Sequence, residues 1–222
     1  VNDDTLSGFS GIARLFPLPK MVLFPHAIQG LHIFEARYRR MTADALAGDG
    51  FIALVRQLDG ADEADDRPPV EPVACLGRIV WHEELPDGRY NLRLRGLSRA
   101  RIVGELSTAR LYRTARVELV ADVAPADLPA LTRTRRDLAA VVLPRFADDS
   151  PARGQLQELF DGDLPLGPLC DVLAYALPLA VELKQSLLAE PRVELRAAAI
   201  ADALRVSAAR ADRPFPPPFS PN

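Results

Sequence analysis

Lysine is almost missing from this chain. Lys20 and Lys184 are the only two among 27 basic residues, so nearly every positive charge is an arginine. With the abundance of alanine and proline, this reads as a GC-rich coding bias and needs no functional cause. Cysteine is as scarce. Cys75 and Cys170 stand far apart in apolar surroundings, which fits small buried hydrophobes better than a disulfide. The three histidines, His26, His32 and His82, form no H-x-H or H-x-x-x-H pair, so no metal site is expected. No apolar run approaches membrane-spanning length, and Val1 to Gly11 is polar and acidic rather than signal-like. The expectation is a cytoplasmic protein with no membrane partner.

Catalytic signatures are missing too. There is no G-x-x-x-x-G-K-[ST] run to cradle nucleotide phosphates and no G-x-S-x-G elbow. Ser186 follows Lys184 by two positions on a predicted helix. Residues two apart point to different sides, so they make no serine–lysine dyad. Glu83 and Glu84 are neighbours on a strand and face opposite sides, which rules out a paired-carboxylate site. No catalytic residue, cofactor or metal is expected. The acidic stretch Leu58 to Pro72 has neither the ligand spacing nor the glycine turn of a calcium loop and reads as solvated. A net charge of −3 argues against nucleic acid as a general partner.

What is present begins with LFPLPKMVLFPHAIQGLHIFEARYRRM, Leu15 to Met41. Pro17, Pro19 and Pro25 cut it into short apolar runs and belong at strand starts, edges or bends. Phe34, Tyr38, Met41 and Ala45 then recur at helical spacing, predicting an amphipathic helix over Glu35 to Ala47. Phe51 to Arg56 reads as a buried strand. Val73 to Leu85, the turn Pro86-Asp87-Gly88 and the alternating Arg89 to Arg95 form an antiparallel hairpin. Alternation resumes after Gly96, with Ala100, Ile102 and Leu106 against Arg99, Arg101 and Glu105. Tyr112 to Val120 is a further strand.

After Asp122 the pattern turns helical. Leu128, Leu131, Leu138, Val141, Val142 and Phe146 share one face up to about Ala147, and Pro144 is expected to kink the helix or end it early. Further helices are predicted from Asp148-Asp149-Ser150-Pro151, over Leu164 to Leu177, Leu179 to Ala189 and Val193 to Ala209. The fold class is α+β: an antiparallel β pseudo-barrel, then an α-helical bundle. The expected divisions are a flexible leader (1–11), a barrel with one inserted helix (12–122), a helical part (123–210) and a proline-rich tail (211–222).

Three stretches carry a resemblance. Leu15 to Met41, then CLGRIVWHEELPDGRYNLRLRGLSRARI (Cys75 to Ile102) and AYALPLAVELKQSLL (Ala174 to Leu188) together resemble the N-terminal domain of Lon proteases, covering about residues 12 to 207. Gly77, Pro86-Asp87-Gly88, Gly96 and Arg99-Ala100-Arg101 stand at matching places. The resemblance implies a PUA-like barrel and a substrate-recognition role. In full-length Lon this module precedes an ATPase and a peptidase domain, so the expectation here is a stand-alone, non-catalytic relative that acts as an adaptor in protein quality control.

The implied partner is an unfolded or degron-bearing polypeptide, with a separate protease or chaperone as a second candidate. Apolar residues between prolines, and the only tryptophan, suggest a peptide site at Met21, Phe24, Pro25 and His26 with Trp81 and His82, while Trp81 reads equally well as core. The rival reading is a PUA-like RNA or modified-nucleotide module, supported only by the row Arg93, Arg95, Arg99 and Arg101. An exposed sheet face balanced by the acidic loop accounts for that row more plainly.

Overall fold

The computed structural model describes residues 3–58 and 67–211. The acidic positions Asp59, Asp62, Glu63, Asp65 and Asp66, and the tail from residue 212, lie outside them. By their contacts the residues form two compact units. One joins 1–121 to 171–191; the other joins 122–170 to 192–222.

The first unit holds all six strands: β1 (Ile12–Leu18), β2 (Ile28–Ile33), β3 (Phe51–Arg56), β4 (Val73–Glu84), β5 (Tyr90–Leu106) and β6 (Thr114–Val120). Five close into a ring, β5–β4–β3–β1–β6 and back to β5, with β1 and β3 parallel and the other pairs antiparallel. β2 stays outside the ring and pairs with β5 alone. The 17-residue β5 makes this possible. Its first part, Tyr90 to Arg95, lies between β2 and β4, and its second, from Arg99, lies between β4 and β6.

The ring is filled from one face of each strand. Ala13 and Leu15, Phe51, Ala53 and Val55, Ala74 and Leu76, Leu97 and Ala100, and Ala115 and Val117 form one buried cluster. Alternating small and large side chains is how a narrow barrel fills its taper. Leu6 and Phe9 pack against this cluster, with the Phe9 ring 5.3 Å from that of Phe51. The leader, read as flexible throughout, therefore contributes apolar contacts that its polar composition hides. Pro17 sits where β1 still pairs with β3 but β6 has ended, an edge position that suits a residue without an N–H.

Helix α1 (Ala36–Leu46) buries Tyr38, Met41, Thr42 and Ala45. Phe34, grouped with them by spacing, precedes the N-cap residue Glu35 and is 62% exposed. Helical periodicity does not hold for a residue whose backbone is not helical.

In the same unit, α5 (Val181–Ala189) is tied to the sheet by Gln185, whose amide donates to the Val73 carbonyl at 2.9 Å. Arg99 on β5 is buried. It donates to the Leu188 carbonyl at 3.0 Å and forms a bidentate pair with the buried Asp171. The segment Asp171–Pro191 thus belongs with the strands, although its helical pattern alone groups it with the helices.

The second unit contains α2 (Leu128–Val142), α3 (Pro151–Asp161) and α6 (Val193–Ala211), and the backbone passes from it to the first unit within α4 (Leu166–Ala176). Pro144 ends α2 as expected, and the Ser150 hydroxyl caps α3 by accepting from the Arg153 N–H. Val193, Ala197, Ile200 and Leu204 of α6 are buried with Leu138 and Val142 of α2. Arg135 donates to the carbonyls of Leu159, Phe160, Gly162 and Leu164, satisfying the end of α3. Buried Arg196 makes a bidentate pair with Asp122, both contacts at 2.7 Å. Gly167 lies beside them: a Cβ there would come within 2.3 Å of Asp122 Oδ2.

Candidate functional site

The strand left out of the ring defines the site. β2 has no second neighbouring strand among the described residues. Its register with β5 and β4 makes rows across three strands. Gly30 faces Arg93, and Arg93 faces Trp81; His32 faces Asn91, and Asn91 faces Glu83. The second row is hydrogen-bonded throughout, with His32 Nδ1 2.8 Å from Asn91 Oδ1 and Asn91 Nδ2 donating to Glu83 at 3.2 Å. In the first row the Arg93 guanidinium lies 5.5 Å from the centre of the Trp81 ring, and Gly30 adds no side chain. The space over Gly30 is open. Phe34 stacks on His32 with ring centres 6.2 Å apart.

A bulge puts Trp81 on this face. Ile79 pairs with Leu94 and Trp81 with Arg93, so Val80 is an extra residue. Without it Trp81 would sit opposite Leu92, which is buried. The bulge sets the only tryptophan on the Arg93 face, where it is 45% exposed, and leaves His82 opposite Leu92. Ile28 and Val80 are exposed nearby in the same strands, giving a face that mixes aliphatic, aromatic and arginine side chains.

The edge of β2 is partly occupied by the unit's own side chains. The Tyr175 hydroxyl donates to the Ile28 carbonyl at 3.1 Å, and the Gln29 amide donates to the Gly30 carbonyl at 2.7 Å. Ile28, Gly30 and His32 have the same parity. In an antiparallel ladder, residues of one parity bond to the neighbouring strand and those of the other turn away. The side-chain donors mark this parity as the one turned from β5. Burial lowers the pKa of Lys184, which donates to the Tyr175 carbonyl at 2.8 Å and helps hold that tyrosine in place.

The residues expected to contact peptide are dispersed. Phe24 and Pro25 are buried and Met21 is half-buried, so the proline-flanked loop is not the exposed apolar surface its sequence suggests. The loop packs inward: His26 N–H donates to the Gly96 carbonyl at 3.0 Å, and Gly96 N–H donates to Ala27 at 2.9 Å. A Cβ on Gly96 would stand 2.0 Å from the Phe24 carbonyl oxygen, so only glycine permits this approach. Val22 is buried as well. His26 is exposed at a turn closed by Ala27 N–H to Phe24 O at 3.3 Å, with φ at +67°. Trp81 is exposed as a binding residue must be. His82 is exposed too, but it pairs with Leu92 and points to the opposite face of β4.

The arginine row does not form a stripe. Arg93, Arg95 and Arg101 are exposed, but Arg99 is buried on Asp171. Gly77 pairs with Gly96 and Leu76 with Ser98, leaving Leu97 as an extra residue that breaks the alternation. Cys75 and Cys170 are buried and form no disulfide, and burial pushes the Cys75 thiol pKa up. No group of metal-ligating side chains occurs among the described residues. No helix there is long and apolar enough to cross a membrane.

Comparison with known proteins fits this architecture. Residues 12–206 match the family described as the ATP-dependent protease La (LON) substrate-binding domain. The Lon protease of Desulfatibacillum aliphaticivorans is 29% identical over 189 residues, covering 83% of this chain and 22% of that protein. The Lon protease of Trichlorobacter lovleyi is 30% identical over 177 residues, covering 78% and 21%. The chain thus spans about a fifth of the length of these relatives. Among solved structures, a Lon N-terminal domain protein from Xanthomonas campestris superposes with a TM-score of 0.61 at 25% identity, covering 91% of this chain and 99% of that one. The N-terminal domain of the Mycobacterium avium complex Lon protease gives a TM-score of 0.66 at 18% identity, covering 87% and 98%, a likeness of fold.

Proposed function

This chain belongs to the LON substrate-binding domain family, and from that premise we propose that it is a non-catalytic module that captures unfolded or degron-bearing polypeptide along β2. The observation that carries this reading is the edge of β2, which no second strand covers among the described residues, beside a face holding Trp81, Arg93 and Ile28. An extended peptide gains main-chain hydrogen bonds by adding to such an edge, and side-chain contacts give it selectivity. Trp81 and Arg93 are the residue types that most often anchor such contacts. The bare backbone at Gly30 leaves room for the guest's side chain beside Arg93.

The same reading makes the module an adaptor in cytoplasmic protein quality control, handing captured polypeptides to a separate protease or chaperone. Its own sequence supplies no phosphate-binding loop and no serine–lysine dyad, which supports a role in recognition rather than cleavage. With Arg99 buried on Asp171, the arginine row that was the support for the RNA reading is broken.

The test is a titration with a fluorescently labelled, permanently unfolded polypeptide. Saturable binding is expected. Trp81→Ala should weaken it by about tenfold, the scale of an interface anchor, while leaving thermal stability within about 0.5 kcal/mol. Gly30→Pro, which removes an outward N–H from an edge strand, should weaken it as well. Absent binding, or binding that both variants leave intact, would discard the proposal.

A further inference from the structure

Four arginines and two tyrosines converge elsewhere in the barrel unit. Arg37 and Tyr38 from α1, Arg67 from the segment before β4, and Arg110, Tyr112 and Arg113 from the loop between β5 and β6 line a cavity of about 260 Å3. Pro17, Pro68 and Leu111 complete its wall, and no acidic side chain lines it among the described residues. The carboxylates that orient these arginines lie outside the lining: Glu35 is 3.0 Å from Arg37, Asp44 is 3.6 Å from Arg110, and Glu105 pairs with Arg113.

The arrangement is pre-set for an anion. The Arg37 guanidinium lies 4.8 Å from the centre of the Tyr38 ring and that of Arg110 5.5 Å from the Tyr112 ring. Stacking fixes the guanidinium planes and leaves their edges to donate. Each guanidinium has five N–H donors; Arg113 uses three of them on Glu105 and the Pro68 carbonyl and keeps the rest. The Tyr112 hydroxyl accepts from Arg110 and donates to Asp44 at 2.7 Å, so it holds the arginine in place. Burial is the main cause that raises the pKa of the Tyr38 phenol, which stays protonated.

The wall also restricts the ligand. Its volume is below the ~300–1,000 Å3 typical of sites for whole small molecules, and suits one or two residues of a peptide. Leu111 is 68% exposed beside the arginines. A bare inorganic anion would leave it and the prolines without partners; a peptide end carries a carboxylate and an apolar side chain together.

We propose that this cavity binds a peptide carboxylate, from either the C-terminus or an acidic side chain, with the adjoining residue against Leu111. That the carboxylate belongs to a polypeptide rests on the function proposed above.

The experiment uses three labelled, unstructured peptides of otherwise equal sequence: one with a free C-terminus and no acidic residue, the same peptide amidated, and an amidated peptide carrying glutamates. The wild type should bind one or both carboxylate-bearing peptides about tenfold more tightly than the neutral one, the scale of a charge-assisted pair. Which of the two binds identifies the source of the carboxylate. Arg110→Gln and Arg67→Gln, both at solvent-exposed positions, should abolish the difference with circular dichroism unchanged. Equal binding of all three peptides that still depends on Trp81 would overturn this inference and leave the β2 reading standing. No peptide binding at all would overturn both. Displacement of the peptide by low concentrations of inorganic phosphate would reassign the cavity to small anions and overturn it too.

Discussion

Every residue of β3 is buried, whereas every residue of β2 except Ile33 keeps some contact with water. The two strands are equal in length, and composition alone does not explain the contrast: even Arg56 of β3 is buried, while Ile28 and Leu31 of β2 touch water. Position does. β3 lies inside a closed circuit with a partner on each side, and β2 has a partner on one side only. A closed circuit removes sheet edges and turns strand residues into core. The strand outside it keeps an edge that no second strand covers and exposed side chains, the features on which the proposed recognition rests. β5 serves both, so one strand joins the part that holds the fold to the part proposed to meet a partner.

Three changes probe this contrast. The largest effect is expected from Gly96→Ala, at the point where β5 passes from one region to the other. The new methyl group would overlap the Phe24 carbonyl, so the loop must leave the strand or the strand must bend. A loss of several kcal/mol, on the order of 3–5, is expected in chemical denaturation. A stability unchanged from wild type would show that the loop is not clamped there.

Asp171→Asn comes next. It leaves the buried Arg99 charge without its carboxylate, at a cost of about 3 kcal/mol or more. Peptide binding per folded molecule should not change, because β2 is untouched. Weaker binding at equal folded fraction would break the separation between the two regions.

The smallest effect is on acid stability. The hydrogen bond from Arg113 lowers the Glu105 pKa below its ordinary value of 4.5. A carboxylate with a depressed folded pKa adds stability above its unfolded pKa and loses it as pH falls through the folded one. Glu105→Gln should therefore cost a little stability near neutrality and flatten the loss below about pH 4.5. Parallel melting curves for variant and wild type across that range would count against the pairing.

Much of the fold was legible because it follows periods. The Tyr90, Leu92 and Leu94 alternation, the face of Val193, Ala197, Ile200 and Leu204, and the stops at Pro144, Pro178 and Pro191 all appear where spacing places them. Extra residues were not legible. Val80 and Leu97 each shift a register, setting Trp81 beside Arg93 in one case and disrupting the arginine row in the other. Counting along one strand does not show which residue is left over until the partner strand is known. Phe24 misled for a related reason: an apolar run between prolines reads the same whether it covers a core or faces water. Arg37, Arg67 and Arg110 fell in three separate segments and share no spacing, so only folding reveals that they surround one space.

The Tyr175 hydroxyl and the Gln29 amide on the β2 carbonyls have one more implication. A strand that joins this margin must first displace donors already in place, so weakly matched segments, including neighbouring copies of the same protein, meet a threshold before they can zip on. Under the proposed function, the same donors would set a latch against self-seeded fibres that only a guest making enough contacts opens.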